Sequence, residues 1–242
     1  MRTAYREHLD NFSHDLIVMC DTVRTIMDKA SQALLDRALE PAEEALSLTE
    51  ELDEIRSRCS ERAVKLLALE NPMAQDLRQV VSSIYIVEDL FRMGQLAQHI
   101  ADAARRRHPE AVVPAEYLGF MEEMFRLTQE MGSVVHDILV TPDAELSVNL
   151  RSDDDAVDDI NHHLLRILTQ RDWEGTVRQA VETAQITRYY ERYADRCVSV
   201  ASRMVFLITG LKPEAYLRQR DEVDHDPEQK FATIERKFRT RG

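Results

Sequence analysis

The chain has 242 residues, enough for one large domain or two small ones, each with room for a hydrophobic core. Apolar residues at 44% and charged residues at 31% describe an ordinary globular composition. A net charge of −13 argues against a nucleic-acid partner, because phosphate contacts need concentrated positive charge and Arg105-Arg106-Arg107 is the only run of three basic residues.

Only 6 Gly and 7 Pro break the chain, and the period-two alternation of Val, Ile and Thr that marks strands is missing, so an all-α fold is predicted. The breakers Pro41, Pro72, Pro109 with Pro114, Pro142, Gly175, and Gly210 with Pro213 delimit six helical segments. These run over approximately 5–38, 42–70, 73–108, 115–140, 143–172 and 175–209. At 1.5 Å per residue each thirty-residue segment is a rod about 45 Å long. Connections this short force neighbouring helices to run antiparallel, as in bundles. Arg105-Arg106-Arg107 falls at the end of the third segment, where cations complement the helix dipole.

Cys20, Cys59 and Cys197 are odd in number and widely spaced, which fits neither a disulfide framework nor a zinc site. They read as small buried hydrophobes in a reducing cytoplasm. The N-terminal MRTAYREHLDNF is too polar for a signal peptide, and the longest apolar run, near MVFLITG, is too short to span a bilayer. Any membrane role is therefore expected to be peripheral.

A shift of 100 residues lays the third segment on the sixth: Arg78-Gln79 meets Arg178-Gln179, Val81 meets Val181, Ile86 meets Ile186, Arg92 meets Arg192 and Ala101 meets Ala201. A weaker echo at 105 residues pairs Asp53-Glu54-Ile55 with Asp158-Asp159-Ile160. The expectation is two copies of a three-helix unit, residues 1–109 and 114–210, followed by a charged tail over 211–242. Within the tail RQRDEVDHDPEQK is too charged to pack on a core, and Phe231, Ile234 and Phe238 mark a short amphipathic turn. The tail is expected to be mobile.

In the sixth segment Glu191 interrupts a stripe of small apolar residues (Ala180, Ala184, Ala194, Val198, Ala201), and Asp195 stands one turn further on. Two readings are open. Arg188 and Arg192 each precede an acid by three residues, so both acids can belong to ordinary surface ion pairs. Alternatively, carboxylates one turn apart can chelate a hard cation if another helix supplies further oxygens or imidazoles. The fifth segment offers SDDDAVDDINHH, in which Asp154/Asp158 and Asp155/Asp159 are one-turn pairs and His162-His163 follow. Acids at a helix start are also favoured by the dipole alone. A ferritin-like di-iron centre needs paired Glu-x-x-His motifs on core helices. The single example, Glu222 to His225, stands in the tail. No Gly-rich phosphate loop, nucleophile elbow or His-Glu-x-x-His motif occurs, and an enzyme is not expected. Trp173, beside Gly175, is expected to be a packing anchor between helices.

Two stretches carry a resemblance. NPMAQDLRQVV, Asn71 to Val81, resembles the Pro-x-Ala-x-Asp-Leu-Arg signature opening the third helix of the PhoU family, bacterial regulators of phosphate uptake. ERYADRCVSVASRMVFLITG, Glu191 to Gly210, resembles the matching sixth-helix signature with its Glu-x-x-x-Asp motif and terminal Thr-Gly. The resemblance covers approximately residues 5–210 and implies two three-helix bundles related by an internal repeat. It also implies a non-enzymatic negative regulator of the phosphate-starvation response, a cytoplasmic homodimer. The implied partners are the ATP-binding subunit of the phosphate ABC transporter and a membrane sensor histidine kinase. Carried over, Glu191 and Asp195 become candidate ligands of a divalent or ferric metal ion, with Asp155 and Asp158 as helpers from the preceding helix. The alternative function is a metal-binding protein whose carboxylate cluster acts directly in phosphate or metal chemistry. One departure stands out: DLFRMGQ places Phe91 and Gln95 where a PhoU-like third helix carries its own acids, so the first-repeat metal site is expected to be lost or altered.

Overall fold

The structure is a computed structural model that describes residues 2–69, 74–170, 173 and 175–225. The amphipathic turn expected around Phe231, Ile234 and Phe238 lies outside these residues, as do Asn71, Pro72 and Met73 of the first signature.

Among the described residues the regular structure is helical, with no strand. The helices are α1 (Arg2–Asp36), α2 (Leu39–Leu69), α3 (Gln75–Arg107), α4 (Leu118–Val140), α5 (Ala144–Asn149), α6 (Arg151–Leu168), α7 (Val177–Thr209) and α8 (Pro213–His225), with a 3-10 turn at Ala115–Tyr117 before α4. The all-α expectation of two tandem three-helix bundles is met: α1, α2 and α3 pack together in the first, and α4, the α5–α6 pair and α7 in the second. The bundles share one continuous core, because α1 also packs on α4 and α3 packs on α7. Met19, Ile26, Leu52 and Ile86 from the first half join Met124, Val157, Tyr190 and Tyr193 from the second in one buried cluster.

Polar groups set the register between these helices. Asp15 on α1 is buried and accepts from the Nε of Arg58 at 3.0 Å and of Arg62 at 2.9 Å, clamping α1 to α2. Across the junction, the Tyr190 hydroxyl of α7 and the Ser31 hydroxyl of α1 are 2.7 Å apart, both inaccessible to solvent. Asp89 of α3, also buried, accepts from Arg196 of α7 at 3.1 Å. α3 approaches α2 closely at Gly94, where a Cβ would lie 2.2 Å from Leu52 Cδ2.

Two expectations need correction. The fifth segment, predicted as one helix over 143–172, is two. Asp143 caps α5 by accepting from the backbone N–H groups of Glu145 at 2.8 Å and Leu146 at 3.0 Å, and α6 starts afresh after buried Leu150. The break gives Asp153 and Asp154 a helix first turn, where carboxylates complement unpaired N–H groups. The tail was expected to be mobile, yet residues 213–225 form α8. Tyr216 donates its O–H to Glu145 Oε1 at 2.7 Å and Arg220 donates to Glu145 Oε2 at 3.0 Å, so two side chains one turn apart grip α5. Gly210, in the left-handed region at φ 76°, ends α7 and turns the chain toward α8.

The three cysteines are free and buried, and burial pushes the thiols of Cys20 and Cys59 up to about 12. Trp173 stacks on Tyr117 with ring centroids 5.5 Å apart, joining the connection after α6 to the turn before α4. Among the described residues no helix is long and apolar enough to cross a membrane.

The buried Tyr190–Ser31 hydrogen bond yields a direct stability prediction. Tyr190→Phe should cost about 1 kcal/mol, the net value of a buried hydrogen bond, because it leaves the Ser31 hydroxyl poorly partnered in the core. Urea denaturation of the two proteins measures this, and an unchanged midpoint would contradict it.

Candidate functional site

α7 is buried on the face carrying Tyr190, Tyr193, Cys197 and Val200, so Glu191 and Asp195 fall on its flank, facing α6. Glu191 is 7% exposed, whereas Asp195 is exposed. The first of the two sequence readings applies to half of the pair: Arg188 forms an ion pair with Glu191 Oε1. Asp195 makes no ion pair among the described residues.

α6 runs beside α7 with buried Val157, Asn161 and Leu164 setting its inward face. Asp154 and Asp158 border that face and are partly buried, whereas Asp155 points to solvent. Asp154 is the electrostatic centre of the group. Its carboxyl is raised from the ordinary value of 3.8 to about 6, first by burial and then by the charges of Asp195, Asp158, Asp155 and Glu191. Glu191 is raised in turn by burial, opposed by Arg188, and raised further by Asp195 and Asp158. Like charges gathered at a partly desolvated place disfavour one another's ionised forms. Glu191, Asp195, Asp158 and Asp154 therefore lie within electrostatic reach of one another, Asp155 stands at the rim, and of the two phases that the fifth segment offers the Asp154/Asp158 pair is the partly buried one.

Three oxygens here are buried without a hydrogen-bond partner: Asp154 Oδ1, Glu191 Oε2 and Asn161 Oδ1. Unpaired buried acceptors are costly, and a hard cation relieves such a cost. In donor chemistry the set suits such an ion, since every one of these groups offers oxygen. In the described geometry no three His, Cys, Asp or Glu side chains converge closely enough to hold a metal, so closure on one requires side-chain rotation. A cavity of about 230 Å³ opens beside Asp154, lined by Ser147, Arg151, Ser202 and Leu217 among others, next to the first turns of α8.

Elsewhere the sequence candidates disperse. His162 and His163 do not join the acids: His162 Nδ1 lies 2.9 Å from the Asp158 carbonyl on its own helix, and the His163 ring packs at a tilt against Phe120 with centroids 5.4 Å apart. Asp159 is exposed. In the first repeat, Asp53 and Glu54 are exposed, Phe91 is buried and Gln95 accepts from Arg92 at 2.8 Å.

Fold and site define a class: an all-helical scaffold of two repeated bundles that carries a carboxylate cluster in its second half. The PhoU domain model matches the chain twice, over residues 16–104 and 121–204, and the chain belongs to the PhoU family. It is 42% identical over 213 residues to the phosphate-specific transport system accessory protein PhoU homolog 2 of Mycobacterium tuberculosis, spanning 88% of this chain and 100% of that protein. It is 41% identical over 214 residues to PhoU homolog 1 of Mycobacterium leprae, spanning 88% and 96% of the two chains. The crystal structure of PhoU from Pseudomonas aeruginosa shares the fold with a TM-score of 0.80 at 24% identity, covering 86% of this chain and 100% of that one. The phosphate transport system regulatory protein PhoU from Streptococcus pneumoniae matches with a TM-score of 0.76 at 22% identity, covering 86% and 98%.

The raised Asp154 carboxyl fixes the sign of a pH effect in metal-free protein. Between about 4 and 6 the folded chain holds a proton that the unfolded chain has released, so this group weighs against folding increasingly as the pH rises through that window. Asp154→Asn should therefore stabilise the chelator-treated protein at pH 7 by up to about 1 kcal/mol, after solvent screening, and by much less at pH 4. Denaturation at the two pH values tests this; a variant less stable than wild type at pH 7 contradicts it.

Proposed function

We propose that this protein is a negative regulator of the phosphate-starvation response. In this reading it is a cytoplasmic, homodimeric adaptor between the ATP-binding subunit of a phosphate ABC transporter and a membrane sensor histidine kinase. The observation that carries the reading is the match over 88% of the chain, at 42% identity, to a relative named as an accessory protein of a phosphate-specific transport system. The physical features agree with it. An acidic helical scaffold whose described helices are too polar to cross a bilayer suits a peripheral partner of membrane machinery. Its buried polar contacts, such as Asp15 with Arg58 and Arg62, hold helices in register.

Within that role the cluster of Asp154, Asp158, Glu191 and Asp195 is the place for a divalent or ferric ion, with Asp155 within reach at the rim. The ion would supply positive charge to oxygens that are otherwise unpaired. Asn161 contributes a neutral oxygen behind the acids, and Arg188 holds one side of Glu191 until a cation replaces it.

A phosphate-starvation reporter measured in phosphate-rich medium tests the regulator. Deletion of the gene should make the reporter constitutive, and the native protein should restore repression. A deletion strain that represses normally contradicts the assignment. The folded Glu191→Gln/Asp195→Asn variant should still repress if binding surfaces carry the role; its failure would move the function to the acidic site itself.

A further inference from the structure

The two repeats place different chemistry at equivalent positions, and the difference has a definite form. With the 105-residue shift, Asp154, Asp158 and Asn161 of α6 correspond to Thr49, Asp53 and Arg56 of α2; with the 100-residue shift, Arg188, Glu191 and Asp195 of α7 correspond to Glu88, Phe91 and Gln95 of α3. Three of the four clustered acids are therefore replaced, by Thr49, Phe91 and Gln95, and the one retained, Asp53, is exposed.

The gap is filled. Arg56 reaches across from α2 to α3, where its guanidinium carbon lies 4.2 Å from the centroid of the Phe91 ring. Its Nε donates to Glu88 Oε1 at 3.0 Å, and its Nη2 donates to Glu88 Oε1 at 2.9 Å and Oε2 at 2.8 Å. A guanidinium is planar, cannot be titrated away near neutral pH, and matches both a carboxylate fork and an aromatic face. The signs are also exchanged. In the second repeat the arginine, Arg188, stands on the long helix beside its acid and the facing α6 position is the neutral Asn161; in the first repeat the arginine stands on α2 and the acid, Glu88, on α3.

We infer that Arg56 is a resident cation that takes the place of a metal in the first repeat, so that this half is locked without an ion and the chain binds metal only in its second half. The inference rests on the reading of the Asp154–Asp195 cluster as a cation site. It gives the halves separate roles: α2–α3 presents a fixed surface that chelators do not touch, and α6–α7 presents one that changes with metal supply.

Mn2+ titration of the apo-protein, followed by the spectroscopic signal of the free ion, tests this by counting sites. Wild type should show one saturable site per chain, abolished by Glu191→Gln/Asp195→Asn and unmoved by Asp53→Asn/Glu54→Gln. A fourfold variant, Thr49→Asp/Arg56→Asn/Phe91→Glu/Gln95→Asp, copies the second-repeat donors and should gain a second site. The threefold variant that keeps Arg56 should bind at that site at least about tenfold more weakly, as expected when a like charge stands beside the ion. Two sites in wild type, one of them lost with Asp53→Asn/Glu54→Gln, would overturn the inference, as would a fourfold variant that folds by circular dichroism and still binds only one ion. Should that variant not fold, the wild-type count alone decides. Binding by the fourfold variant but not by wild type would refute the metal reading of the second repeat and the inference with it, as would binding by neither; equal affinity of the threefold and fourfold variants would refute the part assigned to Arg56.

Discussion

The rotational setting of α7 is the constraint on which the rest depends. Tyr190 and Tyr193 are the largest fully buried side chains, and the Tyr190 hydroxyl meets Ser31 of α1 at 2.7 Å in the shared core. A phenol buried so completely needs that partner, and the partner sits on the other repeat. Once Tyr190 points inward, Glu191, one position and about 100° further round the helix, must lie on the α6 flank with Asp195 one turn along. The acids are thus placed by the packing of their neighbours, and the core junction between the repeats reaches the site through one helix.

Electrostatics then distinguishes the two halves. In the second, acids from two helices face each other with Arg188 paired to Glu191 and Arg192 also acting on it, and three oxygens are left buried and unpaired. In the first, Arg56 and Glu88 satisfy one another over the Phe91 ring. One half pairs its charges with its own side chains and the other leaves Asp154 and Asp195 without an ion pair among the described residues, which is the physical sense in which the two copies of a duplicated scaffold differ.

Much of this was legible in the residues. Prolines and glycines at regular intervals bounded the long helices, and the Glu191/Asp195 spacing marked one flank of α7. The choice between Asp154 and Asp155 was not settled by the acids themselves, because SDDDAVDDINHH offers both phases. The signal lay in Val157, Leu164 and Leu168, whose burial puts Asp154 near the inward face and Asp155 outside it. No Gly or Pro marks the split at Leu150, so the fifth segment reads as one helix and its phase after the split is hidden. α8 was missed for a different reason: its composition is that of a solvated tail, and what holds it is tertiary, the pair of hydrogen bonds from Tyr216 and Arg220 to Glu145. The part played by Arg56 could not be read from α2 alone, since its meaning comes from Phe91 and Glu88 on the neighbouring helix.

The central claim is that the second-repeat carboxylates form a cation site and their first-repeat counterparts do not. Anomalous diffraction from crystals grown with Mn2+ addresses it most directly. The account predicts one strong peak per chain between α6 and α7, within bonding distance of Glu191 and Asp154 oxygens, and none beside Phe91. A peak of equal strength at Arg56 and Phe91, or none between α6 and α7 at a saturating concentration, would contradict it.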